Sequence, residues 1–231
     1  MLPAVGLGGR HVYAAASGGT GGGLVEIDVQ TGERKTIVEP SEDIEGQLVV
    51  LSWSASGESL LQSFCSSDNE YCVAAIVRPG ESVTLLEGTF HPVAATDGAL
   101  LGALDGSGSA WGIREITSGK VTPLDDPTGL VRRPISSARA LDDSRFLVDA
   151  FGRIVIIDAN RGTVTVVLEP SDRDGWRVGP VLVPGEFVIL FRESTDTHPT
   201  LSDAERRSVG ILNVARGTVE ADVLTLPVAA P

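Results

Sequence analysis

A glycine-bearing turn between two apolar strands occurs five times in this chain, and its spacing limits what the chain can fold into. The copies are LVEIDVQTGERKTI, CVAAIVRPGESVTLL, WGIREITSGKVTPL, IVIIDANRGTVTVVL and VGILNVARGTVEADVL. Their turn glycines are Gly32, Gly80, Gly119, Gly162 and Gly217, separated by 48, 39, 43 and 55 residues. A second turn series, at Gly9, Gly57, Gly98, Asp143 and Gly185, steps by 48, 41, 45 and 42 residues and interleaves with the first. Each repeat therefore reads as four strands, a to d, joined by an a–b turn, a b–c loop and a c–d turn. Strand-only repeats of about 40–50 residues stack radially as blades.

The expected fold is all-β: a five-bladed β-propeller of four-stranded antiparallel blades. One domain spans residues 1–231, with blades near 4–38, 47–87, 91–125, 133–169 and 177–225. RIVIIDA and EFVILFR are continuously apolar, as strands covered on both faces should be. Blade 1 opens with its own strand a and blade 5 ends with its own strand d. The ring then either closes by face packing alone or forms part of a six- or seven-bladed propeller. The one helix-friendly stretch is LSDAERR, with Ser202 as a candidate N-cap.

The net charge of −13 argues against binding a nucleic-acid backbone, which needs clustered Lys and Arg. No apolar run reaches the ~18 residues of a membrane span. The start, MLPAVGLGGR, lacks the basic and apolar regions of an export signal. Cys65 and Cys72 are the only cysteines and flank the short segment SSDNEY. A hairpin base brings two cysteines within the ~7 Å that a disulfide requires, which points to an extracytoplasmic, oxidising compartment. The alternative is a reduced pair of small buried residues.

LSWSASGESLLQSF, with Trp53, Ser54 and Gly57, resembles the WD40-like repeat of TolB-type propellers. The family pattern usually carries Pro-Asp where Ala55 and Ser56 stand here. Asp28 before Thr31 and Gly32 is similar to the family's c–d unit. This resemblance covers blade 2 and one turn of blade 1; the remaining blades share only the spacing. It implies a bacterial extracytoplasmic binding scaffold, or a regulatory propeller attached to an enzyme.

Propeller geometry puts the b–c and d–a connections on one face and the tight a–b and c–d turns on the other. The long segments, 17–23, 65–72 and 192–208, all fall on the first face. The last is either a functional loop or a disordered one. Acids such as Glu39, Asp125, Asp126 and Glu169 occupy the d–a connections. His91, Arg132, Arg133, Trp176 and Arg177 stand at or near the starts of inner strands. A basic, aromatic centre within an acidic rim could hold a small anionic ligand or an acidic group of a partner protein. Alternatively, the arginines pair with the rim carboxylates and close the channel mouth.

No reaction motif survives scrutiny. The inner strands carry no acid in their bodies, and Asp97 and Asp142 fall at a–b turns, against the paired carboxylates of a glycosidase. Asp172-Arg173-Asp174-Gly175 lacks the closing Glu of a calcium loop. A nucleophile elbow, a dinucleotide fingerprint and a phosphate loop are all missing, and His11, His91 and His198 have no metal spacing. The expectation is a non-enzymatic binding module without cofactor or metal. A sensor or regulatory domain of a larger membrane-anchored protein is the alternative, and a five-bladed hydrolase the third reading.

Overall fold

The computed structural model describes residues 4–5, 11–17, 22–38, 46–54, 56, 58–66, 72–78, 83–105, 108–126, 129, 137–150, 152–170, 174–194 and 208–225. These form twenty strands in five four-stranded antiparallel sheets, each in simple sequence order. Blade 1 holds β1 (Ala4–Val5), β2 (His11–Ser17), β3 (Gly22–Asp28) and β4 (Arg34–Val38). Blade 2 holds β5 (Gly46–Trp53), β6 (Leu60–Ser66), β7 (Cys72–Val77) and β8 (Thr84–Gly88). Blade 3 holds β9 (His91–Ala95), β10 (Ala99–Ala103), β11 (Trp111–Glu115) and β12 (Val121–Pro123). Blade 4 holds β13 (Ser137–Ala140), β14 (Arg145–Ala150), β15 (Arg153–Asp158) and β16 (Val164–Leu168). Blade 5 holds β17 (Asp174–Val183), β18 (Phe187–Ser194), β19 (Ser208–Asn213) and β20 (Thr218–Thr225). The architecture is a five-bladed β-propeller, and among the described residues no strand is exchanged between blades.

The repeated glycine has a conformational cause. Gly32, Gly119, Gly162 and Gly217 all have φ between 60° and 73°, the left-handed region that side-chain-bearing residues avoid. In three of these turns the glycine N–H donates to the carbonyl four residues back, at Asp28, Glu115 and Asp158. Asp28 and Asp158 also accept two backbone N–H groups each through Oδ1, closing the same turn from the side chain.

Strand alternation distributes side chains between neighbouring blades. On β14, Phe146, Val148 and Ala150 join Leu101, Trp111 and Ile113 of blade 3. Leu147, on the other face, joins Trp176, Val188, Leu190 and Leu212 of blade 5. On β10, Leu101 faces blade 4 while Leu100 joins Leu61 and Ile76 of blade 2. Every residue of β7 and β10 is buried, which explains their unbroken apolar sequence. The outer strand β8 alternates between half-buried and exposed residues, and β12 is exposed throughout.

Blade 5 differs from its sequence reading at the start. β17 begins at Asp174, three residues before the expected boundary at 177, because Asp174, Gly175 and Trp176 pair with Ser194, Glu193 and Arg192. Trp176 thus belongs to a strand and its core face. The segment LSDAERR lies outside the described residues, as do residues 226–231. No helix of the described residues is long and apolar enough to cross a membrane.

Candidate functional site

Inner strands β5, β9, β13 and β17 touch in sequence, and β13 also approaches β5, two blades away. These strands therefore converge on the axis, where any central site must be built.

Of the residues expected at the channel mouth, Arg132 and Arg133 lie outside the described residues. His91, the first residue of β9, is half-buried, with Nδ1 3.2 Å from Cys72 Sγ. Cys72 is disulfide-bonded and stands directly opposite Cys65 in the β6–β7 register. An oxidised sulfur has no proton to give, so His91 Nδ1–H is the donor. That contact ties His91 to the base of the β6–β7 hairpin.

Trp176 is only 8% exposed and packs in the interface between blades 4 and 5. The Arg192 guanidinium lies 5.4 Å from its ring centroid. A Cβ on Gly210 would come 3.1 Å from the same ring, so the glycine admits it. Its indole serves packing between blades. Arg177, next along β17, points to the other face and is exposed.

The structure adds a residue that the sequence reading passed over. Arg139 sits on β13 between buried Ala138 and Ala140 and is itself exposed. Burial nonetheless holds its guanidinium below the usual arginine pKa. Arg139 Nη1 donates to the Ala138 carbonyl at 3.0 Å, and no carboxylate pairs with it. The sequence carries the signal in ISSARALD, where one long cation stands between two alanines.

The well-placed acids hold turns together. Asp97 accepts from Ser56 Oγ at 2.6 Å across the blade 2–blade 3 boundary. Arg78 reaches the same boundary, donating to the Asp97 carbonyl at 2.8 Å and to Ser59 Oγ at 3.2 Å. Burial pushes the Asp97 carboxyl up, but the hydroxyls of Ser56, Ser54 and Ser59 together with Arg78 outweigh it and leave the pKa lowered. Asp142 shows the same balance, with Arg145 and Ser144 overcoming burial. Asp149, fully buried on β14, accepts from the Gly152 N–H at 2.8 Å and fixes the β14–β15 connection. Among the described residues no cluster of His, Cys, Asp or Glu could hold a metal ion.

No family model and no curated protein matches the chain. Solved structures do. A TolB-type protein of Agrobacterium tumefaciens shares 14% identity at a TM-score of 0.59, over 95% of this chain and 78% of its own. TolB of Acinetobacter baumannii shares 15% at 0.52, over 95% of this chain and 53% of its own. The hydrazine synthase of Kuenenia stuttgartiensis shares 12% at 0.55, over 97% of this chain and 65% of its own. The chain thus spans less than two thirds of the last two. At such identities the likeness concerns the backbone, and the same fold carries TolB and an enzyme alike. On blade order, turn geometry and these superpositions, the chain has the fold of a TolB-type β-propeller.

Proposed function

We propose that this propeller is a non-enzymatic, extracytoplasmic binding module that holds an anionic group at the centre of its ring. The observation that carries the reading is Arg139, an inner-strand guanidinium reached by water and unmatched by any carboxylate. Arg177, exposed on the adjacent inner strand β17, adds a second cation. A partly desolvated guanidinium gains more from a carboxylate or phosphate than a surface one, and it offers two parallel N–H groups. The non-enzymatic assignment is supported by Asp97, Asp142 and Asp149, whose carboxylates are committed to turns. The location outside the cytoplasm rests on a Cys65–Cys72 disulfide across the β6–β7 register.

Calorimetric titration with citrate and with a short polyglutamate peptide tests the site. Both should bind the wild type. Arg139→Gln should weaken them about tenfold or more, the effect of losing a charge-assisted hydrogen bond. Equal affinity in Arg139→Gln and Arg177→Gln proteins of unchanged melting temperature would refute the site.

A further inference from the structure

The tight turns of blades 3 and 4 enclose a cleft of about 320 Å³. Blade 3 lines it with Glu115 and Lys120, blade 4 with Asp143 and Asn160, and Ile113 and Ala159 add apolar surface. This volume is at the lower end of small-molecule sites. No element of the central anion reading enters this cleft, so the two stand or fall separately.

The walls are fixed in advance. In blade 3 the Gly119 N–H donates to the Glu115 carbonyl and the Glu115 N–H to the Lys120 carbonyl, both at 2.9 Å. Ser118 Oγ holds Glu115 Oε2 at 2.5 Å. In blade 4 the turn bearing Asp143 is tied by Asp142, which accepts from Ser144 N at 2.9 Å and Arg145 Nε at 2.6 Å. Asn160 is fixed through its N–H to Asp158 Oδ1 at 2.8 Å. Turns tied this way lose little freedom when a ligand binds.

The charges are complementary in type. Lys120 and Asp143 are both exposed, come from different blades, and have no ion-pair partner. Glu115 adds a second carboxylate. One ammonium among two carboxylates disfavours phosphate, and the absence of an aromatic ring in the lining removes the stacking surface that sugars and nucleobases use.

We propose that this cleft binds a small zwitterion, a free amino acid or dipeptide. Its carboxylate would meet Lys120, its ammonium would meet Asp143 and Glu115, and a small apolar side chain would rest on Ile113 and Ala159. The chemistry is shared by both sources, so the probes must separate them.

Calorimetric titration with alanyl-alanine, its N-acetyl form, its C-terminal amide and free alanine provides the test. The unblocked dipeptide should bind saturably, and each blocked form about tenfold more weakly. Lys120→Met should abolish the preference for a free carboxylate, and Asp143→Asn the preference for a free amine. Thr122→Trp, at an exposed position of the lining, should fill the cleft and remove binding without altering the melting temperature. Free alanine binding as tightly as the dipeptide assigns the site to amino acids, and weaker binding assigns it to peptides. Absence of saturable binding, or equal binding of blocked and unblocked dipeptides, would overturn the proposal. Arg139→Gln should leave every one of these titrations unchanged.

Discussion

Phe146 and Leu147 are consecutive on β14 and both fully buried, yet they belong to different hydrophobic cores. Phe146 packs toward blade 3 and Leu147 toward blade 5. A period of two along a radial strand sends neighbours through opposite faces of the sheet. One strand therefore joins three blades.

Truncating either residue should be costly. Phe146→Ala should lose about 3–5 kcal/mol and Leu147→Ala about 2–5 kcal/mol, through lost transfer energy and the cavity left behind. Because the two side chains sit in separate clusters, the double variant should come close to the sum. Urea denaturation of the four proteins measures this. Leu85→Ala, at an exposed position of β8, should change stability by less than about 0.5 kcal/mol.

Asp97 and Asp142 should make the fold acid-sensitive. Both carboxyls have pKa values below the ordinary 3.8 when folded. The unfolded chain therefore takes up protons at these sites before the folded one does. Their stabilisation is fully present above the unfolded value and disappears as pH falls through the folded values. Asp97→Asn should cost about 1 kcal/mol at neutral pH by weakening the bond from Ser56. It should also flatten the acid limb of a plot of urea midpoint against pH. An acid limb identical to that of the wild type would contradict the assignment.

Gly119 and Gly162 share a left-handed conformation but differ in surroundings. A Cβ on Gly119 meets only the end of the Arg114 side chain at 3.8 Å, so Gly119→Ala should cost about 1–2 kcal/mol from backbone strain alone. A Cβ on Gly162 would stand 3.3 Å from the Pro123 carbonyl of blade 3. Gly162 also accepts from the Asp125 N–H through its own carbonyl at 2.8 Å. Gly162→Ala should therefore be the more damaging of the two, measured by thermal melting.

Reduction should loosen blade 2. A Cys65–Cys72 disulfide, as proposed above, would close eight residues and restrict the unfolded chain by about 2–3 kcal/mol. Melting with and without dithiothreitol should differ in the wild type and coincide in Cys72→Ser. His91→Ala should lower the wild-type melting point under oxidising conditions by removing the contact to Cys72.

Local signals determined the architecture. A left-handed residue is needed at each of the four described c–d turns, only glycine takes it cheaply, and so Gly32, Gly119, Gly162 and Gly217 mark their blades in the sequence itself. Unbroken apolar strands such as CVAAIV likewise revealed sheets covered on both sides. The site was less legible. Trp176 looked like a channel residue, but three further ladder pairs drew it into β17, where its indole fills the space beside Gly210. ISSARALD shows Arg139 as a cation between two alanines, but its desolvation depends on the blades around it, and sequence spacing contains no such information. The cleft of Glu115, Lys120, Asp143 and Asn160 draws on turns 45 residues apart at its extremes, from Glu115 to Asn160. Only the packing of one blade on the next brings such groups together, since side-chain period and turn chemistry act within a blade and proximity across blades is decided by the shared core.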